Sequence, residues 1–241
     1  MKTYLLRILP PSVTSILLEL REWVVLGNRR LYYSQFGEDI MLQRITRSQP
    51  PGFYVDVGAC HPKRYSNTNL LYKKGWRGMN IDANPFAIDL FRLFRPRDIN
   101  LFSGIGLVKE THTFYMFTDP RFNTFSKDQV DLYLRDKKAA VIGTKEIAIK
   151  PLREVLADHN ITKVDFLNVD AEFMDMEVLQ SIDWNIVRPR IIAVESHKFD
   201  FDHPHENEFY EFLTTKGYTL HSYTGYSLIF VRAPSEQEAA A

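Results

Sequence analysis

The chain has 241 residues, 45% apolar and 25% charged, a balance that excludes collagen, coiled coil, disorder and a disulfide-stapled scaffold. Basic and acidic side chains are equal at 30 each, so no global field attracts DNA or RNA, and no nucleic-acid partner is expected. The single cysteine, Cys60, can form no intramolecular disulfide, so the fold needs no oxidising compartment and the cytoplasm is the expected location.

Residues 1–32 read as an extension. Pro10-Pro11 interrupts the first apolar stretch, and Glu19, Arg21 and Glu22 interrupt the next, so neither a cleaved signal nor a spanning helix is expected. The pattern Ile16, Leu17, Leu20, Trp23, Val24, Val25 predicts an amphipathic helix ended by Gly27-Asn28. It would pack on the body or on a second copy of the chain. The alternative is peripheral contact with the inner face of a membrane, aided by Lys2, Arg7, Arg29 and Arg30.

Residues 33–233 read as one domain in which short apolar runs alternate with helical patterns, the mark of a mostly parallel α/β sheet. The expected strands are 53–57, 78–82, 100–103, 164–169 and 190–195, then 218–223 and 226–232 joined at Thr224-Gly225 as a hairpin. The hairpin makes the last strand antiparallel. A helix carrying Met176, Leu179 and Ile182 on one face follows the fourth strand. Residues 111–117 alternate like an extra strand, and 118–146 read as loop plus a short helix. Arg92, Arg95 and Arg97 read as a solvated helix face. The polar tail, 234–241, is expected to be frayed.

Ligands of an open parallel sheet bind beyond the carboxyl ends of its strands, so the residues after each strand matter most. Gly58 follows the first strand and lets the backbone approach a ligand closely. It stands alone, without the Gly-x-Gly-x-x-Gly of a pyrophosphate loop, which disfavours a dinucleotide. Asp82 ends the second strand, where a carboxylate accepts both hydroxyls of a ribose. Ribose recognition without a pyrophosphate cradle points to S-adenosylmethionine. Asp170 and Glu172 follow the fourth strand, and Glu195 and His197 the fifth, so adjacent strand ends gather four groups suited to general-base work. Asp170, Glu195 and His197 are also a candidate ligand set for Mg²⁺ or Mn²⁺. The stretch 197–206 holds three histidines, of which His203 and His205 are expected on the substrate side of a loop over the acceptor pocket.

The segments Tyr33-Ser-Gln-Phe-Gly-Glu-Asp39, Gly52-Phe-Tyr-Val-Asp-Val-Gly-Ala59, Ser66-Asn-Thr68, Gly75-Trp-Arg-Gly78, Asp82-Ala-Asn-Pro85, Phe166-Leu-Asn-Val-Asp170 and Arg188-Pro189 resemble the FkbM family of S-adenosylmethionine-dependent methyltransferases. The resemblance spans residues 33–232. It implies a class I methyltransferase (Rossmann-like) fold, with a seven-stranded sheet, an antiparallel last strand and helices on both faces. It also implies O-methylation, with a sugar hydroxyl of a glycan or glycolipid as the expected acceptor. Carried over by position, Asp56, Gly58 and Ala59 would line the methionine part of the cofactor, with Gln35, Glu38, Asn67 and Thr68 closing over its tail. Asp82 would hold the ribose, Ala83 and Asn84 would lie beside the adenine, and Ser103 near its ring. The chain departs from the family at Asp170-Ala-Glu-Phe173, where Asp-Val-Glu-Gly is usual. Phe173 would narrow the acceptor pocket, offer a stacking face, or mark a degraded cofactor-binding module that serves as an interaction subunit.

Overall fold

Runs of branched and aromatic residues without polar alternation become strands covered on both faces. The computed structural model describes residues 32–171 and 173–233; the expected N-terminal helix and the tail lie outside them. Seven strands form the main sheet: β1 (Phe53–Val57), β2 (Arg77–Asp82), β3 (Ile99–Phe102), β7 (Phe166–Val169), β8 (Ile191–Glu195), β9 (Tyr218–Tyr223) and β10 (Ser227–Arg232). Their order is β3-β2-β1-β7-β8-β10-β9. All neighbours pair in parallel except β10, which is antiparallel to both β8 and β9. This is the Rossmann-like class I sheet that the sequence led us to expect, with strand three displaced by one residue.

The helices lie on both faces. Val55, Val57, Met79, Ile81, Leu167, Val169, Ile192 and Val194 point to one side, against α5 (Leu152–Asp158), α6 (Asp175–Gln180) and α7 (Glu208–Thr215). Tyr54, Phe166, Ile191, Ala193 and Ile229 point to the other, against α1 (Glu38–Ile45) and α2 (Asn69–Lys73). Between β2 and β3 runs α3 (Pro85–Phe94), started by Asn84, whose side chain accepts the Phe86 amide at 3.0 Å, and by Pro85 at its first position.

The segment between β3 and β7 corrects the sequence reading. The strand at 111–117 is present as β5 (Glu110–Phe117), but 118–146 is more than loop and helix. A 3₁₀ turn (Pro120–Phe122) and α4 (Lys127–Arg135) lead into β6 (Val141–Lys150). β6 pairs antiparallel with β5 along its length and parallel with β4 (Gly104–Ile105), making a second sheet in the order β4-β6-β5. β6 escaped notice because its first six residues are largely exposed and include Gly143, Thr144, Lys145 and Glu146; only Ile147 and Ile149 are buried. Phe114 and Ile147 of this small sheet pack with Ala83, which fixes the insertion over the ends of β2 and β3.

Arg95 gives a second correction. It is no part of a solvated face: it is 1% exposed, between the rings of Phe91 and Tyr72 at 5.0 and 5.5 Å.

Candidate functional site

A cavity of ≈ 350 Å³ opens beyond the carboxyl ends of β1, β2, β3, β7 and β8. Its size falls within the range of small-molecule sites. On the β2–β3 side its wall is apolar: Ile81, Ala83, Ile105, Phe114 and Phe125, with Ser103 and Asn84 beside them. Towards β7 and β8 it turns polar, with Gln35, Asn67, Asn168, Asp170, Glu195 and His197.

Gly58 sits at the pivot of this wall. Its φ is +75°, and a Cβ there would lie 1.7 Å from the carbonyl oxygen of Asp170. Only glycine lets the end of β1 pass so close to the end of β7. The amides of Gly58 and Ala59 both donate to the Ile81 carbonyl, at 3.0 and 3.2 Å, tying this turn to β2.

Asp82 accepts the Cys60 amide on Oδ2 at 2.7 Å and the Asn84 amide on Oδ1 at 2.6 Å. Burial pushes its carboxyl up to about 6, against the lowering effect of those amides. Each oxygen keeps a lone pair for a ligand hydroxyl.

Asp56 is almost wholly enclosed, and both of its oxygens are engaged. Thr68 donates to Oδ2 at 2.6 Å and Asn168 to Oδ1 at 2.9 Å, while Asn67 donates to Asn168 at 2.8 Å. Arg95 then donates to Thr68 at 2.7 Å, Ser66 at 2.8 Å and the Pro62 carbonyl at 2.8 Å. One buried guanidinium thus holds the loop after β1 against the wall of the cavity. Sequence reasoning missed the roles of both Arg95 and Asn168. A run of arginines on a helix usually signals a solvated face, and nothing local shows that a chain turn has swallowed one of them.

Of the residues anticipated for the cofactor, Gln35, Asp56, Gly58, Ala59, Asn67, Asp82, Ala83, Asn84 and Ser103 line the cavity. Glu38 and Thr68 do not. The Glu38 carboxylate accepts the Phe36 amide at 2.9 Å and the Thr224 hydroxyl at 2.8 Å, bracing the segment before α1 against the β9–β10 turn. Thr68 is buried on Asp56.

At the other end, Asp170 and Glu195 stand in the same cavity wall. The Glu195 carboxyl is raised chiefly by burial and also by Asp175 and Glu38, while His197 and Asp170 lower it. His197 Nε2 lies 3.6 Å from Glu195 Oε2, and its ring stands edge-on to Tyr226 at 5.5 Å. Tyr226 in turn stacks on Phe36 at 4.3 Å. Glu172 lies outside the described residues.

The expected cation site is not assembled: among the described residues no three His, Cys, Asp or Glu side chains converge as a ligand set. S-adenosylmethionine does fit the donor set, with an apolar slot, a ribose carboxylate beside it and a close backbone approach at Gly58.

Phe173 has φ +76°, the left-handed backbone that the family's glycine adopts freely. Its ring is 53% exposed and is absent from the cavity wall, so it does not narrow the pocket.

Among the described residues no helix is long and apolar enough to cross a membrane. A comparison with curated protein sequences returns no match. Among solved structures, the chain is similar to a TehB-like SAM-dependent methyltransferase from Corynebacterium glutamicum, at 14% identity and TM-score 0.44 over 91% of this chain and 97% of that one. It is also similar to a methyltransferase from Geobacter sulfurreducens, at 14% identity and TM-score 0.47 over 96% of each chain. A third is precorrin-6y C5,15-methyltransferase from Geobacter metallireducens, at 13% identity and TM-score 0.42 over 85% of this chain and 93% of that one. The family described as "Methyltransferase FkbM domain" matches residues 56–220, which takes in the end of β1, Asp82, the insertion, Asp170 and Glu195. With more than half of its length in that match, the chain belongs to the FkbM methyltransferases.

Proposed function

We propose that this protein methylates a hydroxyl oxygen of a sugar, carried on a glycan or glycolipid, in the cytoplasm. The observation that carries this reading is His197 Nε2 standing 3.6 Å from Glu195 Oε2 at the polar end of the cofactor cavity, with Asp170 in the same wall. When bound, S-adenosylmethionine supplies an electrophilic methyl group on a sulfonium.

A sugar hydroxyl is a weak nucleophile at neutral pH and needs a base in the transition state. Glu195 is mostly buried, and its Oε2 lies 3.6 Å from His197 Nε2, close enough to orient the imidazole. His197 accepts the hydroxyl proton and, with 54% of its side chain exposed, hands it to solvent. Much of the remaining work is positioning. Asp82 fixes the ribose, and Gly58 lets the β1 turn lie against the β7 end.

The test is transfer of labelled methyl from S-adenosylmethionine to a panel of glycosyl acceptors. His197→Ala lowers kcat by about 10²–10⁴-fold, the usual contribution of a general base, and leaves the S-adenosylhomocysteine Kd within twofold. Binding of S-adenosylhomocysteine without methylation of any acceptor by the wild type would favour an interaction module over an enzyme.

A further inference from the structure

A second hollow, of ≈ 650 Å³, adjoins the first and shares His197 with it. It lies between the 197–207 segment and Tyr223 at the end of β9. From the structure we infer that it is a second acceptor subsite, which holds the uncharged sugar unit next to the one being methylated, so that the substrate is a saccharide chain and not a single sugar. This rests on the proposed methylation of a sugar hydroxyl.

Three features support it. The first is continuity. A group that leaves the Glu195–His197 pair away from the cofactor enters this hollow directly, because the imidazole belongs to both walls.

The second is the apolar lining. Phe199 and Phe201 meet edge to face at 5.1 Å, and both contact Tyr223, at 5.7 and 6.1 Å. Phe199 packs against the main core, but Phe201 is 69% exposed, a large ring left in water beside a reactive site. The C–H face of a pyranose covers such a ring without requiring a deep pocket, because the electron-rich π face attracts polarised C–H groups.

The third is unspent hydrogen-bonding capacity. Lys198, Asp202 and Glu206 line the hollow, and their side chains engage no partner among the described residues. Asp200 and His203 pair with each other at 3.1 Å, and Asn207 is taken up by Ser196 and the Lys198 carbonyl. His205 faces elsewhere, onto Glu211 at 2.6 Å. A donor and two acceptors beside an aromatic platform match vicinal hydroxyls, which both donate and accept. Three carboxylates against one ammonium make the rim acidic, which disfavours a uronic or sulfated unit. A strand-adding peptide would need the free edge of β9, of which only Tyr223 reaches the hollow.

The experiment uses the full chain saturated with S-adenosylhomocysteine. It is titrated calorimetrically with methyl glycosides of glucose, galactose, mannose and rhamnose and with their di- and trisaccharides. In at least one series affinity rises tenfold or more from the methyl glycoside to the disaccharide. That gain falls below twofold in Phe201→Ala and in Asp202→Asn, while S-adenosylhomocysteine affinity and Tm stay unchanged. A glucuronate-containing disaccharide shows no gain. Equal affinity along every series, a gain that survives Phe201→Ala, or no saccharide binding by a protein that binds S-adenosylhomocysteine would each overturn the subsite. Failure of the wild type to bind S-adenosylhomocysteine would instead overturn the methyl-transfer reading on which it rests.

Discussion

Asp82→Asn separates the electrostatic cost of the ribose carboxylate from its use. A carboxyl lifted from 3.8 to about 6 by burial carries an ionisation penalty of about 3 kcal/mol at neutral pH. Because the folded value is raised, the stability associated with the protonated form is complete below 3.8 and is lost as pH rises through about 6. About 2 kcal/mol of this falls between pH 4.5 and 7.5. Asparagine has no such titration, but it has one acceptor oxygen where Asp82 offers two to the amides of Cys60 and Asn84. One amide is left facing an NH₂ group, at a cost of about 1–3 kcal/mol. The variant is therefore level with wild type or up to about 2 kcal/mol more stable at pH 7.5, where relief of charge offsets the lost bond, and loses about 2 kcal/mol against it on going to pH 4.5. Urea denaturation of both proteins at the two pH values reads this directly. Asp56 is the buried carboxyl whose charge acts on Asp82, so the change in the gap reads Asp82 together with that repulsion. Calorimetry at pH 7.5 shows S-adenosylhomocysteine binding weakened about 10–100-fold, the worth of a charged hydrogen bond. A stability gap that is constant with pH, or unchanged binding, would refute the reasoning.

Gly58→Ala adds a Cβ 1.7 Å from the Asp170 carbonyl at a left-handed φ. It lowers stability by about 3 kcal/mol or more, a Tm drop of roughly 6–12 °C by differential scanning calorimetry; a fall under 2 °C would contradict the close approach. Phe173→Gly relieves a positive φ and leaves the cavity wall as it is, so it raises stability by about 0.5–1 kcal/mol in urea titrations, and a decrease of that size would mean the ring is held by packing. Arg95→Met leaves Thr68, Ser66 and the Pro62 carbonyl without their donor and costs about 3 kcal/mol or more. It also weakens S-adenosylhomocysteine more than tenfold at temperatures where the variant is fully folded, and intact affinity there would show that the loop needs no guanidinium.

What the sequence made legible follows the physics of strands. β1, β2, β7 and β8 are short apolar runs because both of their faces are buried, and the residues that end them, Gly58, Asp82, Asp170 and Glu195, have one place to go. β6 was invisible because half of it is an exposed ribbon whose pairing partner supplies the apolar face. Glu38 and Thr68 sit in motifs that surround the cavity, yet side-chain direction in a loop is set by distant partners: Thr224 for one, Asp56 and Arg95 for the other. Sequence gathers Asp170, Glu195 and His197 at adjacent strand ends, but whether three side chains converge as a ligand set depends on rotamers that residue spacing does not record.

The brace between Glu38 and the β9–β10 turn has a temporal consequence. Its two ends are 186 residues apart, and the Phe36–Tyr226 stack beside it joins similarly distant parts of the chain. β1, too, finds its β7 neighbour only after more than a hundred intervening residues. Contacts of such separation close late, because the entropy of the enclosed loop must be overcome before they contribute anything. During synthesis from the N-terminus, Phe36 and Glu38 therefore wait for their partners Tyr226 and Thr224 until the β9–β10 hairpin has emerged. The cofactor cavity gains the ring of Tyr226 only once the β9–β10 hairpin has formed, and a nascent chain that stops short of β7 has β1 and β2 but no closed pocket.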